Sequence, residues 1–166
     1  MIIDIEPVFN IEGLSKDFDY DIDLSDEKLG VSKPFTSPVK VEGSVFNRAG
    51  IVGIDATASF VMQVSCDRCA KQVDYPFEAL IRHTLVSSLN DDDNDELLLV
   101  EDIKNFNVDE LVTDDIFLSL PSKFLCSEDC KGLCPVCGAD LNEGQCSCKK
   151  EIDPRLAALA QLLDND

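Results

Sequence analysis

Eight cysteines are the residues of this 166-residue chain whose type and spacing could do chemistry. They form four close pairs, called the first to the fourth pair below: Cys66/Cys69, Cys126/Cys130, Cys134/Cys137 and Cys146/Cys148. Structural zinc is commonly bound by four thiolates, supplied two at a time from short turns known as knuckles. The eight sulfurs therefore predict two structural zinc ions with four ligands each, and no ligand left over.

The spacing allows two groupings of these pairs. In the first grouping, the third and fourth pairs close a short loop around one ion, and the second pair reaches back to the first. In the competing grouping, the second and third pairs share one ion, which leaves the first pair with the fourth. We favour the first grouping, because the segment CPVCG is a strong knuckle, whose proline fixes one backbone angle and whose glycine tolerates a tight turn.

Other uses of these cysteines are less consistent with the sequence. The N-terminal residues carry acids and no basic region of the kind that opens a secretion signal. We therefore expect a cytoplasmic protein, and in that reducing compartment paired cysteines bind metal more often than they form disulfides. A redox-active C-x-x-C normally begins a helix, whereas CDRC lies between two predicted strands.

Catalysis at zinc requires an open ligand position, usually with histidine or carboxylate nearby. The single histidine, His83, lies in the middle of a predicted strand and far from the cysteines in sequence. We expect it to be a core or surface residue and not a ligand. The sequence thus predicts structural metal, no catalytic residues, no small-molecule substrate and no enzymatic activity.

The charge of the chain restricts its partners. Its net charge is −19, with 33 acidic residues against 14 basic ones. Contacts with nucleic-acid phosphates need clustered lysine and arginine, so direct RNA binding is not predicted, although the sequence leaves it open. A basic protein, or RNA reached through such a protein, is the expected partner. An equally simple interpretation is that the charge only promotes solubility. No apolar run approaches the roughly 20 residues of a membrane span.

The pattern of apolar residues predicts a β-rich chain with one central helix. Strands are predicted over Val39–Phe46, Ile51–Ser65, Lys71–Val86 and, more briefly, Leu97–Asp102. A helix is predicted over Asn107–Pro121, with Asn107 as its N-cap and Glu110 three residues further on. Residues 13–36 and 90–96 are predicted loops, and a strand is expected before Pro7.

These elements predict an α+β fold. Its antiparallel β-rich core consists of hairpins or a partly closed barrel, and CDRC lies at a hairpin tip. A small zinc-bound lobe at the C-terminus is expected to end in a short helix that begins near Asp153. The predicted domains are residues 1–125 and the cysteine-rich residues 126–166.

Several segments of the chain resemble one known family. CDRCAKQVDYPF, VDELVTDDIFLSLPSKFLC, CSEDCKGLCPVCGADLN and DPRLAAL are together similar to the YceD family of bacterial and plastid proteins. That family is named for the accumulation of large-subunit ribosomal RNA. The resemblance extends over nearly the whole chain from about Val39, and it is loose over the first 35 residues.

The resemblance carries its own expectations. Family members that lack the CPxCG segment keep the earlier C-x-x-C, which implies that the first two pairs form the core site and the last two an added one. The resemblance also implies a non-enzymatic role in large-subunit biogenesis, with a ribosomal protein or pre-ribosomal particle as partner. The alternative is a redox-regulated chaperone that holds zinc on C-x-C and C-x-x-C units and exposes apolar surface when oxidised.

Overall fold

The structure is a computed structural model that describes residues 1–88 and 97–148. The chain forms two compact units: Met1–Val64 with Gln72–Ser122, and Ser65–Lys71 with Lys123–Asp166. The second unit thus takes a short connection from the middle of the chain together with the C-terminal part. The division at residue 125 stays a prediction, because compactness does not show that either part folds alone.

The described residues contain seven strands and two helices. They are β1 (Ile2–Ile3), α1 (Glu6–Asn10), β2 (Ser15–Ile22), β3 (Val39–Arg48), β4 (Ile51–Ser65), β5 (Gln72–Val86), β6 (Leu97–Leu99), β7 (Phe106–Asn107) and α2 (Val108–Ser119). Strands β2 to β6 form one sheet in chain order, and β1 pairs with β7. The predicted α+β class with a β-rich core is confirmed.

The three long strands follow the sequence prediction closely, because burial alternates along them. On β4, every second side chain from Ile54 to Val64 is buried. On β5, the buried residues Ala79, Ile81 and Leu85 share one face of the strand. Six residues join β4 to β5, which is too few for a parallel crossover and makes this pair a hairpin.

Helix α2 begins directly after Asn107, as predicted, and buries Val108, Val112 and Ile116. The capping itself differs from the prediction. The Asn107 side chain makes no hydrogen bond to the helix backbone, and its Nδ2 donates instead to the Glu110 carboxylate at 3.4 Å. Burial of one apolar face therefore accounts for this helix better than its cap does.

One local prediction is wrong, and two others hold over shorter ranges than predicted. The predicted loop over residues 13–36 contains β2, whose aspartates have low β-propensity and hide the alternation of buried Phe18 and Ile22. Near the N-terminus the strand is limited to β1, and Pro7 lies in the first turn of α1. Strand β6 pairs with β5 in parallel, with Leu97 opposite Thr84. Because β5 ends at Val86 and β6 begins opposite Thr84, the chain has to move back along β5 by only about two residues, roughly 7 Å. A long crossover is therefore unnecessary.

Two predicted segments, the acidic loop over residues 90–96 and the C-terminal helix from Asp153, lie outside the described residues. Within the described part of the chain, neither helix has the length and apolarity needed to cross a membrane.

Tyr20 on β2 gives a test by pH. Its hydroxyl is buried without a hydrogen-bond partner in the described structure, and burial raises its pKa from 10.0 to about 12. Between these values the unfolded chain loses the proton and the folded chain keeps it, so the free energy of unfolding should fall as pH rises from 10 to 12. Tyr20→Phe should abolish this fall and stabilise the protein by about 1 kcal/mol at neutral pH.

Urea unfolding at neutral and alkaline pH measures both effects. Tyr75→Phe is the matched control, because it removes the other tyrosine hydroxyl of the chain and should keep the Tyr20 contribution. An unchanged alkaline slope in Tyr20→Phe would contradict the prediction.

Candidate metal centres

The first and second cysteine pairs meet in the second unit. Cys66, Cys69, Cys126 and Cys130, called site 1, have all four Sγ atoms within 4.8 Å of one another. The Sγ atoms of Cys66 and Cys130 are 3.7 Å apart, and those of Cys69 and Cys126 are 3.6 Å apart. Zinc–sulfur bonds of about 2.3 Å in a tetrahedron place sulfurs about 3.8 Å apart, whereas a disulfide needs about 2.05 Å. The sulfur geometry therefore fits a metal ion and not a disulfide.

A tight turn of the backbone presents the first pair. The Cys66 N–H donates to the Lys71 carbonyl at 2.9 Å, and the Ala70 N–H donates to the Cys66 carbonyl at 2.8 Å. Ala70 has a φ of 58°, in the left-handed region. This turn reverses the chain between β4 and β5 and directs the two thiols to the same side.

The third pair repeats this turn at the same spacing. The Cys134 N–H donates to the Ala139 carbonyl at 2.8 Å, and the Gly138 N–H donates to the Cys134 carbonyl at 2.8 Å. Gly138 has a φ of 73° and corresponds in position to Ala70. The segments CDRCAK and CPVCGA are therefore two copies of one knuckle.

This correspondence predicts opposite effects for two substitutions. A left-handed conformation costs alanine about 1–2 kcal/mol, partly offset by the greater freedom of glycine in the unfolded chain. Ala70→Gly should therefore stabilise the zinc-loaded protein by about 0.5 kcal/mol, and Gly138→Ala should destabilise it by a similar amount. A Cβ at Gly138 would meet no atom within 4 Å, so strain alone is tested there. Urea unfolding measures both changes, and a loss of stability in Ala70→Gly would contradict the prediction.

The two residues inside the first knuckle fasten the second pair to it. Asp67 donates its N–H to the Phe124 carbonyl at 2.8 Å and accepts the Phe124 N–H on its carboxylate at 2.7 Å. The Arg68 guanidinium donates to the carbonyls of Cys130 and Glu128, at 2.8 and 3.2 Å. Sequence reasoning identified only the cysteines here. The sequence contained one indication of these roles, because the side chains of both residues between the thiols can hydrogen-bond to backbone groups.

The third and fourth pairs meet separately. Cys134, Cys137, Cys146 and Cys148, called site 2, also have their four Sγ atoms within 4.8 Å of one another. Cys134 is buried, Cys137 is exposed, and the other two are half-buried. All eight cysteines of the chain are free thiols and belong to one site or the other. The structure thus forms the grouping that the sequence favoured, and not the competing one.

Asn142, in the loop of site 2, contacts a sulfur of site 1. Its Nδ2 donates to Cys130 Sγ at 3.5 Å, while its Oδ1 accepts the Lys131 N–H at 2.7 Å. Because a backbone N–H must meet an oxygen, this second bond fixes which end of the amide faces the sulfur. The Leu141 N–H also donates to the Gly132 carbonyl at 2.9 Å. The loop of site 2 therefore supports a ligand of site 1, which the sequence did not indicate.

The thiols of site 1 differ widely in acidity. Burial opposes ionisation of Cys66, but backbone N–H groups of Cys126, Cys69 and Arg68 outweigh it and lower the pKa of Cys66 to about 6. Hydrogen bonding to Cys130, then to Cys69, raises the pKa of Cys126 to about 12. The site thus forms the Cys66 thiolate easily, whereas Cys126 keeps its proton because that proton is shared with neighbouring sulfurs.

Site 2 repeats this arrangement. Backbone N–H groups of Cys137 and Val136 lower the pKa of Cys134 to about 6. Hydrogen bonding to Cys137 raises the pKa of Cys148 to about 12. A divalent cation would compensate the repulsion between thiolates and displace the remaining protons. In both sites the donor set fits zinc, and four sulfurs leave no open position for a substrate.

His83 belongs to the first unit, whereas both cysteine sites belong to the second. Its Nε2 is 2.6 Å from the Asp115 carboxylate, which half-buries the ring on β5. The expectation of a core or surface histidine is confirmed. His83 is absent from both cysteine groups, which consist of cysteines alone in the described residues.

The fold and the sites define the class of protein. It is a β-rich domain whose chain also forms two four-cysteine sites, one of which is built on a hairpin connection. The family described as large ribosomal RNA subunit accumulation protein YceD matches residues 54–163. The chain belongs to this family, as the sequence resemblance predicted.

Relatives agree with this assignment. The uncharacterized protein YlbN of Bacillus subtilis (strain 168) is 33% identical over 156 residues, which cover 92% of this chain and 90% of the relative. An uncharacterized protein of Mycobacterium tuberculosis (strain H37Rv) is 35% identical over 71 residues, which cover 43% of this chain and 34% of the relative. The chloroplastic large ribosomal RNA subunit accumulation protein YCED homolog 1 of Arabidopsis thaliana is 32% identical over 34% of this chain and 18% of its own. No solved structure gives a significant match.

Proposed function

We propose that the protein is a non-enzymatic factor of large ribosomal subunit biogenesis in the cytoplasm, which supports the accumulation of large-subunit (23S) rRNA. Membership of the YceD family, named for this accumulation, is the observation that carries the proposal. The Arabidopsis relative bears the same description in its name. Both cysteine sites are closed donor sets of the structural type, which agrees with a role in binding and not in catalysis.

A basic partner follows from the charge. With 33 acidic and 14 basic residues, the chain repels the phosphate backbone and attracts cationic surfaces. We propose a ribosomal protein of the large subunit, free or within a pre-ribosomal particle, as this partner. The rRNA would then be affected through the protein that binds it. Zinc at both sites would hold the C-terminal loops in place.

Depletion of the protein from its host tests the proposal. The ratio of 23S to 16S rRNA should fall, and precursors of the large subunit should accumulate on sucrose gradients. Re-expression of the wild-type chain should restore both, and a tagged chain should co-purify with a large-subunit protein. An unchanged rRNA ratio together with no ribosomal protein in the purified fraction would contradict the proposal.

One observation favours the redox-regulated chaperone as a second candidate. Cys137 of site 2 is exposed and its two downstream partners are half-buried, so oxidants can reach these sulfurs. A chaperone should release zinc from site 2 on peroxide treatment and then suppress aggregation of an unfolded test protein. Zinc release without this activity would leave the assembly factor as the sole candidate.

A further inference from the structure

Strand β2 forms one edge of the five-stranded sheet. It pairs with β3 along its whole length, from Ser15 opposite Phe46 to Ile22 opposite Val39. Among the described residues, no other segment hydrogen-bonds to the backbone of residues 15–22. Eight residues make a long edge for a natural sheet, and an uncovered edge of this kind can accept another strand.

The register shows which backbone groups point outward. The Asn47 N–H donates to the Leu14 carbonyl at 2.9 Å, so this position is a hydrogen-bonded one between the two chains. In an antiparallel pair, hydrogen-bonded and non-hydrogen-bonded positions alternate. The N–H and C=O groups of Asp17, Asp19 and Asp21 therefore point away from β3, toward the open edge.

The same three residues, called the aspartate row, carry their side chains on the solvent face, where all are exposed. Glu42 lies opposite Asp19 on β3 and adds a further negative charge. Lys40 lies opposite Asp21 and contacts Glu42, so it compensates only part of the row. The open edge thus combines unpaired backbone groups with negative charge at every second residue.

We propose that the β2 edge binds an extended basic segment of the partner as an added strand. A strand with lysine or arginine at every second position would form main-chain hydrogen bonds with the row and place each cation beside an aspartate. The charge also excludes a second copy of this chain, because two such edges would oppose aspartate to aspartate. The identity of the partner rests on the proposed function. The ability of the β2 edge to bind a basic strand does not depend on it.

A synthetic peptide tests this surface directly. The probe is a capped peptide of about ten residues, a usual strand length, in which lysine alternates with threonine. A second peptide has the same sequence with the backbone nitrogen of each lysine methylated, which keeps the charge and removes the N–H groups that face the aspartate row in an antiparallel pair. The first peptide should bind the full chain, more weakly with added salt, and should slow amide exchange at Asp17, Asp19 and Asp21. The N-methylated peptide should bind at least about tenfold more weakly.

Variants of the chain separate edge from charge. Asp19→Pro removes an outward N–H without removing a bond to β3, and should weaken binding at least about tenfold. Replacement of the whole row by asparagine should do the same and reduce the salt dependence. The matched control removes three exposed charges elsewhere, by Glu101→Gln, Asp114→Asn and Glu128→Gln, and should change binding by no more than about twofold. Amide exchange on β3 shows whether each variant keeps the sheet.

Equal binding of the two peptides, normal binding by the row variant, or protection at other amides would overturn the proposal. A dimer in sedimentation that Asp19→Pro dissolves would show that a second copy occupies the edge instead, and would also overturn it. The rRNA ratio in depleted cells is independent of these results. If it falls while the peptide ignores β2, the edge proposal fails and the proposed function stands.

Discussion

Cys66→Ser should remove one zinc ion per chain and leave the other in place. Site 1 loses one of its four thiolates, and the remaining three cannot close the tetrahedron around the ion. Structural zinc contributes on the order of 10 kcal/mol to small domains, so the loops of site 1 should lose their fixed conformation. The lost ion should be the one bound by Cys69, Cys126 and Cys130, whose thiols then become reactive toward alkylating reagents.

Cys134→Ser is the matched variant, because Cys134 occupies the same position in the second knuckle. It should also lose one ion, with the new reactivity confined to site 2. Metal analysis and mass spectrometry of alkylated peptides measure both outcomes. New reactivity in the wrong group would show that the sulfurs are grouped differently. Loss of both ions from either variant at stoichiometric zinc would contradict two sites that each hold their own ion.

Asn142→Ala should weaken zinc binding at site 1, although Asn142 is no ligand and belongs to the loop of site 2. Its amide donates to Cys130 Sγ, and the loss of such supporting hydrogen bonds typically lowers metal affinity about 10- to 100-fold. Asn142→Asp should lower the zinc affinity of site 1 at least as much as Asn142→Ala. Its carboxylate can still accept the Lys131 N–H, but its other oxygen would face a thiolate. Glu143→Ala, at an exposed neighbour, is the control and should have no effect.

Competition with a chromophoric chelator measures the affinities of the two sites. The Cys134→Ser background sharpens the test. The Asn142 loop is positioned by the second knuckle, where Cys134 bonds to Ala139, so disruption of site 2 should already have lost most of the support. Asn142→Ala should then add little. Full additivity of the two changes, or a loss confined to site 2, would contradict the coupling.

The sequence predicted those features that leave a local pattern. The alternation on β4 and β5 and the apolar face of α2 each repeat with the period of their element, and the eight cysteines permit few groupings. The predicted N-cap marked the start of α2 correctly even though its side chain does not form the cap. In these places local preference and burial agree.

Other features have no local pattern to find. Strand β2 has a buried face of only a few residues between aspartates, so composition suggested a loop. The parallel pairing of β6 depends on where the chain returns, which periodicity does not encode. The roles of Asp67, Arg68 and Asn142 arise from contacts with residues distant in sequence or in another loop. The left-handed conformation of Ala70 could have been predicted from the sequence. CDRCAK and CPVCGA align directly, and this alignment places Ala70 at the position of Gly138, a residue type that favours that conformation.

The metal content of the purified, reduced full-length chain tests the central claim most directly. Native mass spectrometry should find two zinc ions per chain, in accord with two four-thiolate sites. Denaturing acid should release both ions together with the full set of thiols. A single ion, a different metal, or intact disulfides in place of zinc would contradict the account.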